Sequence, residues 1–245
     1  MEPQAAELRV IAAAEDLVTM LGEDANHTVA AAAMDTRGRI HLGVNVYHFT
    51  GGPCAEIVAI GAAATAGAGP LVTIAAVGDR DRGLLAPCGR CRQTLLDLHP
   101  DILVALPGDD SSHRSAASAT VVPIAALLPT SYRHPDAGPL RVLRFNARYA
   151  EAVENGSKTV TVRWGESPVV GPALAYFENT DRDPVPIEIH SVEPTPLTEL
   201  TEAGLGLTGT TTADDYRTSL RGHYPDIPRD ATVDVVRFRH SEPCI

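Results

Sequence analysis

Two short cysteine segments decide how this chain folds: Gly51-Gly52-Pro53-Cys54-Ala55-Glu56 and Pro87-Cys88-Gly89-Arg90-Cys91. In each segment, glycine or proline interrupts the chain just before a stretch with helical periodicity, so each cysteine group is predicted to open a helix. Helix N-termini carry partial positive charge and free N–H groups, which stabilise thiolates. The sequence therefore predicts two helices whose first turns present three cysteines.

The sequence on either side of these segments alternates between helical and strand patterns. Helices are predicted at 5–21, 54–67 and 87–98 from apolar spacing and from the residues that stop them. Strands are predicted at 29–34, 40–46, 71–77 and 102–106, the first two joined by the turn Asp35-Thr36-Arg37-Gly38. Strands that alternate with helices indicate an α/β layer fold with buried strands.

The second half of the chain has a different pattern. Residues 129–139 are rich in proline and polar residues, and beyond them short strands are predicted at 140–145, 158–163, 174–177, 187–192 and 232–238. Helical patches at 146–154, 197–203 and 212–222 interrupt these strands. Many short strands with glycine and proline turns indicate a small barrel. We therefore predict one domain at 1–133, a linker at 134–139 and a second domain at 140–245.

Composition restricts the class of protein. Apolar residues make up 44% of the chain and the net charge is −11. The chain has no apolar run long enough for a membrane helix and no signal-peptide pattern at its start, so we expect a soluble, cytoplasmic protein. A surface that binds long nucleic acids normally carries the opposite charge, which favours a small-molecule partner.

The cysteine spacing predicts a catalytic zinc site. Three thiolates from Cys54, Cys88 and Cys91 leave one tetrahedral position for water, and Glu56 is placed to act on that water without binding the metal. Arg90 is expected to offset part of the thiolate charge. The alternatives are a structural zinc site, for which Cys244 would be a poor fourth ligand, and a redox pair.

Residues 43–56, 87–93 and 95–100 (Leu-Leu-Asp-Leu-His-Pro) resemble the cytidine deaminase superfamily and, within it, the blasticidin-S deaminases. The resemblance covers 1–133 and implies a three-layer sandwich with a mixed sheet, zinc as cofactor and a homotetramer. It implies hydrolysis of the 4-amino group of a cytosine nucleoside to the uracil form, an aminohydrolase reaction on a cyclic amidine. Glu56 would then move the protons.

The same resemblance implies substrate-binding residues. Carried over by position, these are Thr28, Asn45, Tyr47, Arg82 and Tyr132. Tyr47 stands where ordinary cytidine deaminases have a ribose-binding glutamate, which favours blasticidin S or a related nucleoside antibiotic as substrate, and hence a role in antibiotic resistance. Two features near the expected mouth of the pocket differ from the blasticidin-S deaminase pattern: His134 replaces an aromatic residue, and the loop at 107–119 is longer.

The segment Gly156-Ser157-Lys158-Thr159-Val160-Thr161-Val162-Arg163 resembles the ASCH domain, a relative of PUA-type barrels. Some ASCH proteins remove the acetyl group from N4-acetylcytidine, which implies catalytic roles for Lys158 and Thr161. Lys158 is the only lysine among 20 basic residues. Residues 204–209 contain no carboxylate that could complete such a site, although Glu166, Glu178 or Glu188 could approach Lys158 in the fold.

Three functions remain open at this point. The first is deamination of blasticidin S or a related cytosine nucleoside antibiotic. The second is a cytidine or deoxycytidine deaminase whose ASCH domain binds or deacylates N4-acylcytidine. The third is an RNA-binding ASCH module with an accessory deaminase domain, against which the negative charge counts.

Overall fold

The first half of the chain forms a mixed sheet with helices on both faces. The computed structural model describes residues 1–108, 118–132, 138–207 and 211–241. The chain divides into two units, Met1–Val142 with Glu178–Asp183 and Leu143–Phe177 with Pro184–Ile245. Most of the predicted linker at 134–139 lies outside the described residues, and the predicted boundaries stay predictions.

The first unit follows the predicted order of elements. Its helices are α1 (Ala5–Leu21), α2 (Ala55–Thr65) and α3 (Gly89–Leu98). Its strands are β1 (Val29–Asp35), β2 (Ile40–Val44), β3 (Leu71–Gly78), β4 (Gly83–Leu84), β5 (Leu103–Leu106) and β6 (Thr120–Pro123), and a 3₁₀ turn follows at Ile124–Leu127. Strands β4 and β6 were not predicted; β4 has only two residues, too few to show a periodic pattern.

The sheet has the order β2-β1-β3-β5-β6, with β4 on the end of β3. Strands β3 and β5 are parallel, as a crossover through α3 requires, and the other described pairs in this sheet are antiparallel. Ala31 and Ala33 of β1 pack in one core with α2 and α3. Because side chains alternate along a strand, Ala30 and Ala32 face the other side, where α1 packs on β1 and β3. The predicted α/β layer fold is confirmed.

The turn between β1 and β2 is organised by a buried carboxylate. Asp35 is fully buried and accepts hydrogen bonds from the backbone N–H groups of Arg37 (2.9 Å) and Arg39 (3.1 Å). Its second oxygen contacts Nε of Arg39 at 2.8 Å and Nε2 of His41 at 3.1 Å. Burial alone would raise the pKa of Asp35, but these bonds from His41, Arg37 and Arg39 lower it below its usual value.

The second unit is a curled half-barrel sheet of order β7-β9-β10-β11-β8. Its strands are β7 (Arg141–Asn146), β8 (Val160–Arg163), β9 (Gly171–Glu178), β10 (Val185–Pro196) and β11 (Thr232–His240). Its helices are α4 (Ala150–Glu154), α5 (Glu202–Leu205) and α6 (Ala213–His223), with 3₁₀ turns at Ala147–Tyr149 and Leu197–Glu199. All five predicted strands are present. Two apolar cores, one around Phe177 and one around Leu197, hold the unit together.

The structure also bears on membrane association. Within the part of the chain that it describes, no helix has both the length and the apolar composition that a membrane crossing needs.

We expect Asp35→Asn to lower the free energy of unfolding by about 2 kcal/mol, because the buried hydrogen-bond network loses its negative charge and one of its two acceptor oxygens. A carboxylate with a lowered pKa stabilises the fold above pH ~4 and ceases to do so as the pH falls through the lowered value. Urea unfolding at pH 7 and pH 3 measures both effects. Asp81→Asn, at an exposed turn position, is the matched control. Equal stability of D35N and D81N at pH 7 would contradict this account.

Candidate functional site

The three predicted cysteines form one cluster. Their Sγ atoms all lie within 4.8 Å of one another, with 3.7 Å between Cys54 and Cys88 and 3.6 Å between Cys88 and Cys91. Tetrahedral zinc with Zn–S bonds of about 2.3 Å separates its sulfur ligands by about 3.8 Å. The donor set and its spacing therefore fit zinc. Cys91 is buried and Cys88 is exposed, so the cluster faces solvent on one side.

Local backbone structure places these thiols. Cys54 and Cys88 are the N-cap residues of α2 and α3, both with extended backbone angles, as the glycine and proline breaks predict. A Cβ at Gly52 would lie 1.6 Å from the carbonyl oxygen of Val46, so only glycine lets the chain before Cys54 pass this close to its neighbour. Val46 N–H donates to the carbonyl oxygen of Pro53 at 3.1 Å and fixes that contact.

Glu56 lies in the first turn of α2 and is 7% exposed. It lines a small cavity with Pro87 and Leu95. Burial and the Glu56 carboxylate together raise the pKa of the Cys91 thiol. Glu56 is therefore close enough to the cluster to interact with it electrostatically.

Arg90 contacts the cluster directly. Its Nη2 lies 3.5 Å from Sγ of Cys54 and donates to the carbonyl oxygen of Gly52 at 3.1 Å. The Cys54 thiolate in turn raises the pKa of Arg90. The expected charge compensation thus has a geometric basis, and Arg90 also ties α3 to the loop before α2.

The side chains of two predicted substrate-binding residues, Asn45 and Arg82, form hydrogen bonds within the protein, and Arg82 binds the backbone of a third, Thr28. Oδ1 of Asn45 accepts from Val29 N–H at 2.8 Å, and Nδ2 of Asn45 lies 3.4 Å from the carbonyl oxygen of Asn26. Arg82 donates to the carbonyl oxygen of Thr28 and to the Asp79 carboxylate. The sequence analysis missed Asp79, which follows β3 directly and carries no motif. These contacts place Asn45 and Arg82 at the same end of β1.

The two predicted tyrosines are on the surface. Tyr47 and Tyr132 are each 67% exposed. Hydrogen bonds link the backbone at both tyrosines to the segments that carry the cysteines. Tyr47 follows Val46, whose N–H donates to the carbonyl oxygen of Pro53, next to Cys54. The carbonyl oxygen of Tyr132 accepts a hydrogen bond from the side chain of Gln93 in α3 at 3.0 Å. His48 is also exposed, and its Nδ1 forms a hydrogen bond with Oγ1 of Thr50.

Lys158 and Thr161 lie in the second unit, with Lys158 just before β8 and Thr161 within it. Nζ of Lys158 donates to the carbonyl oxygen of Val160 at 2.9 Å and lies 4.6 Å from the ring centroid of Tyr149. Burial, with smaller contributions from Arg163 and Arg148, lowers the pKa of Lys158 to about 8. Thr161 is buried in the strand.

Glu166 is the carboxylate that the fold brings to this region. It lies 3.5 Å from Nη1 of the buried Arg163 and accepts a hydrogen bond from the Tyr224 hydroxyl. Glu166 was predicted only as one of three glutamates, because nothing in the local sequence marks its partner Tyr224, which follows α6 directly. His134, Cys244 and Gly209, and most of the loop at 107–119, lie outside the described residues.

Comparisons with known proteins agree with this site. Residues 5–106 match the family model of the cytidine and deoxycytidylate deaminase zinc-binding region. A blasticidin-S deaminase from Bacillus cereus is 35% identical over 109 residues, which are 41% of this chain and 78% of that protein.

Solved structures resemble each half of the chain. A cytidine deaminase from Burkholderia pseudomallei covers 51% of this chain and 97% of its own, with 30% identity and a TM-score of 0.42. An ASCH domain from Lactobacillus crispatus JV V101 covers 41% of this chain and 79% of its own, with 20% identity and a TM-score of 0.35.

We expect Arg90→Gln to weaken zinc retention about tenfold, because groups that contact metal ligands typically contribute 10–100-fold to affinity. Competition with a chromophoric chelator at pH 7 measures this change. Arg90→Lys keeps the charge and is expected to recover part of the affinity. Unchanged zinc affinity in R90Q would show that Arg90 does not compensate the thiolates.

Proposed function

Since this chain belongs to the cytidine deaminase superfamily, we propose that it removes the 4-amino group of a free cytosine nucleoside, with blasticidin S or a related nucleoside antibiotic as its preferred substrate. The protein is a zinc-dependent hydrolytic deaminase. The observation that carries the proposal is the three-cysteine cluster at two helix N-termini with Glu56 beside it.

Cys54, Cys88 and Cys91 are the proposed zinc ligands. A bound zinc ion supplies Lewis-acid activation of the water that attacks C4 of the cytosine ring. Metal binding requires the thiolate form, so Cys91, whose pKa is raised by burial and by Glu56, loses its proton only when the metal binds. Arg90 stabilises the resulting negative charge at Cys54.

Glu56 is the proposed proton carrier. Its carboxylate accepts a proton from the attacking water and delivers it to ring N3. It then takes the proton of the hydroxyl now on C4 and delivers it to the departing amino group. One water is consumed, the C4–N bond breaks, and the uracil form and ammonia leave. The near-complete burial of Glu56 shields this transfer from bulk water.

The substrate preference rests on the 35% identity to a blasticidin-S deaminase and on Tyr47. Tyr47 is an exposed aromatic side chain next to the loop that carries Cys54, where it can contact a substituent on the nucleoside. Thr28, Asn45, Arg82 and Tyr132 complete the proposed substrate site. The fixed orientations of Asn45 and Arg82 suit positioning groups.

A homotetramer formed through the first unit is part of the proposal. Phe49 and Tyr47, close to the cysteine loop, are 87% and 67% exposed, and apolar surface of this kind favours self-association. Sedimentation equilibrium should give four times the chain mass of 25.9 kDa. A monomer mass at all concentrations would contradict it.

Turnover of blasticidin S, cytidine and N4-acetylcytidine by the zinc-loaded protein, followed by mass spectrometry, tests the function. We expect blasticidin S to give the highest kcat/KM. Glu56→Gln should lower kcat by roughly 10²–10⁴ with unchanged zinc content, because general acid–base catalysis is lost. Glu23→Gln, at an exposed position, is the control and should leave kcat unchanged.

Each other outcome has a definite meaning. Preference for cytidine would overturn the antibiotic assignment and leave the deaminase chemistry in place. Release of acetate from N4-acetylcytidine that is lost in Lys158→Met would show that the second unit deacylates N4-acylcytidine, as the second of the three candidate functions requires. Salt-dependent RNA binding without nucleoside turnover would support the RNA-binding alternative.

A further inference from the structure

Two cationic side chains in the second unit meet at one aromatic ring. The guanidinium carbon of Arg148 lies 4.7 Å from the ring centroid of Tyr149, and Nζ of Lys158 lies 4.6 Å from the same centroid. Arg148 is exposed and Lys158 is half-buried. Tyr149 therefore brings a surface cation and a deeper cation together.

Arg148 is held in place by neutral partners. Its Nη2 lies 2.7 Å from the Tyr149 hydroxyl, 3.0 Å from Oγ of Ser219 and 2.9 Å from Nε2 of His223. Burial, followed by Arg148, lowers the pKa of His223, which keeps its ring neutral at pH 7. These contacts orient the guanidinium without neutralising it.

The nearby carboxylate is already engaged. Glu166 pairs with Arg163, which is buried, and accepts from the Tyr224 hydroxyl. Across the described ranges, neither Arg148 nor Lys158 forms an ion pair with a carboxylate, although the chain has 31 acidic residues and a net charge of −11. The two side chains form a positive centre in an acidic protein.

We propose that Arg148 and Lys158, with Ser219 and His223, bind the phosphomonoester group of a small ligand such as a nucleotide. A guanidinium fork, an ammonium and a hydroxyl offer several donors, which suits the three oxygens of a phosphate group better than the two of a carboxylate. The site lies wholly within the second unit and goes beyond the deaminase function.

Calorimetric titration of the zinc-loaded full chain in ~50 mM salt tests the site, with inorganic phosphate, cytidine 5′-monophosphate, cytidine and a single-stranded RNA as probes. Phosphate should bind with 1:1 stoichiometry. Arg148→Gln and Lys158→Met should each weaken phosphate binding at least tenfold, because each removes one charged donor. The exposed Arg221→Gln on α6 is the matched control and should change it less than twofold.

The response of cytidine 5′-monophosphate separates this site from the deaminase centre. Its affinity should fall in R148Q, whereas that of cytidine should not. Melting temperatures report folding of each variant, and R148Q keeps the test valid if K158M does not fold. No phosphate binding at 10 mM, equal binding in R148Q and wild type, or RNA binding through Arg148 that is tighter than nucleotide binding would overturn the proposal.

The single lysine of the chain allows a direct second measurement. Reductive ¹³C-methylation gives one lysine signal in NMR spectra, from Lys158. An anion beside an ammonium group stabilises the charged form, so saturating phosphate should shift this signal and raise the pKa of Lys158 above its starting value of about 8. A signal that phosphate leaves unchanged would also overturn the proposal.

Discussion

Three thiolates can share a metal only if two helices begin at the same point, and the first unit is built around that constraint. The N-caps of α2 and α3 are Cys54 and Cys88, and both helices pack on the same face of the sheet. Helix α2 packs closely on β2 because small residues face each other there. A Cβ at Gly43 of β2 would lie 2.3 Å from the backbone nitrogen of Ala59 of α2. A larger side chain at either position would push α2 away from the sheet and move Cys54 with it.

Charge at the cluster is balanced by local groups. The helix N-termini and Arg90 favour thiolates, whereas burial and Glu56 oppose ionisation of Cys91. These opposing effects suit a site that takes up zinc and keeps a carboxylate beside it for proton transfer. Asn45 and Arg82, which are proposed to bind substrate, are fixed by bonds to the backbone and to Asp79, so their orientations do not depend on a ligand.

The second unit manages buried charge differently. Arg163 is paired with Glu166 and packs over the ring of Phe145, and both contacts compensate the charge of a buried cation. Lys158 and Arg148 have aromatic and neutral partners instead, and mutual repulsion with Arg163 helps to lower the pKa of Lys158. Because Arg148 and Lys158 have no carboxylate partner among the described residues, they differ from an ordinary structural ion pair, and this difference underlies the proposal that they bind an anion.

The sequence by itself determined the elements and the metal donors. Breaks at Gly51–Pro53 and Pro87 and the spacing of three cysteines are local signals, so both helices and the cluster could be predicted. Only the tertiary structure decided the partners of Arg82, Lys158 and Glu166. The Thr28 carbonyl meets Arg82 and Tyr224 meets Glu166 through packing of segments that lie more than 50 residues apart along the chain, and no spacing in the sequence records such contacts.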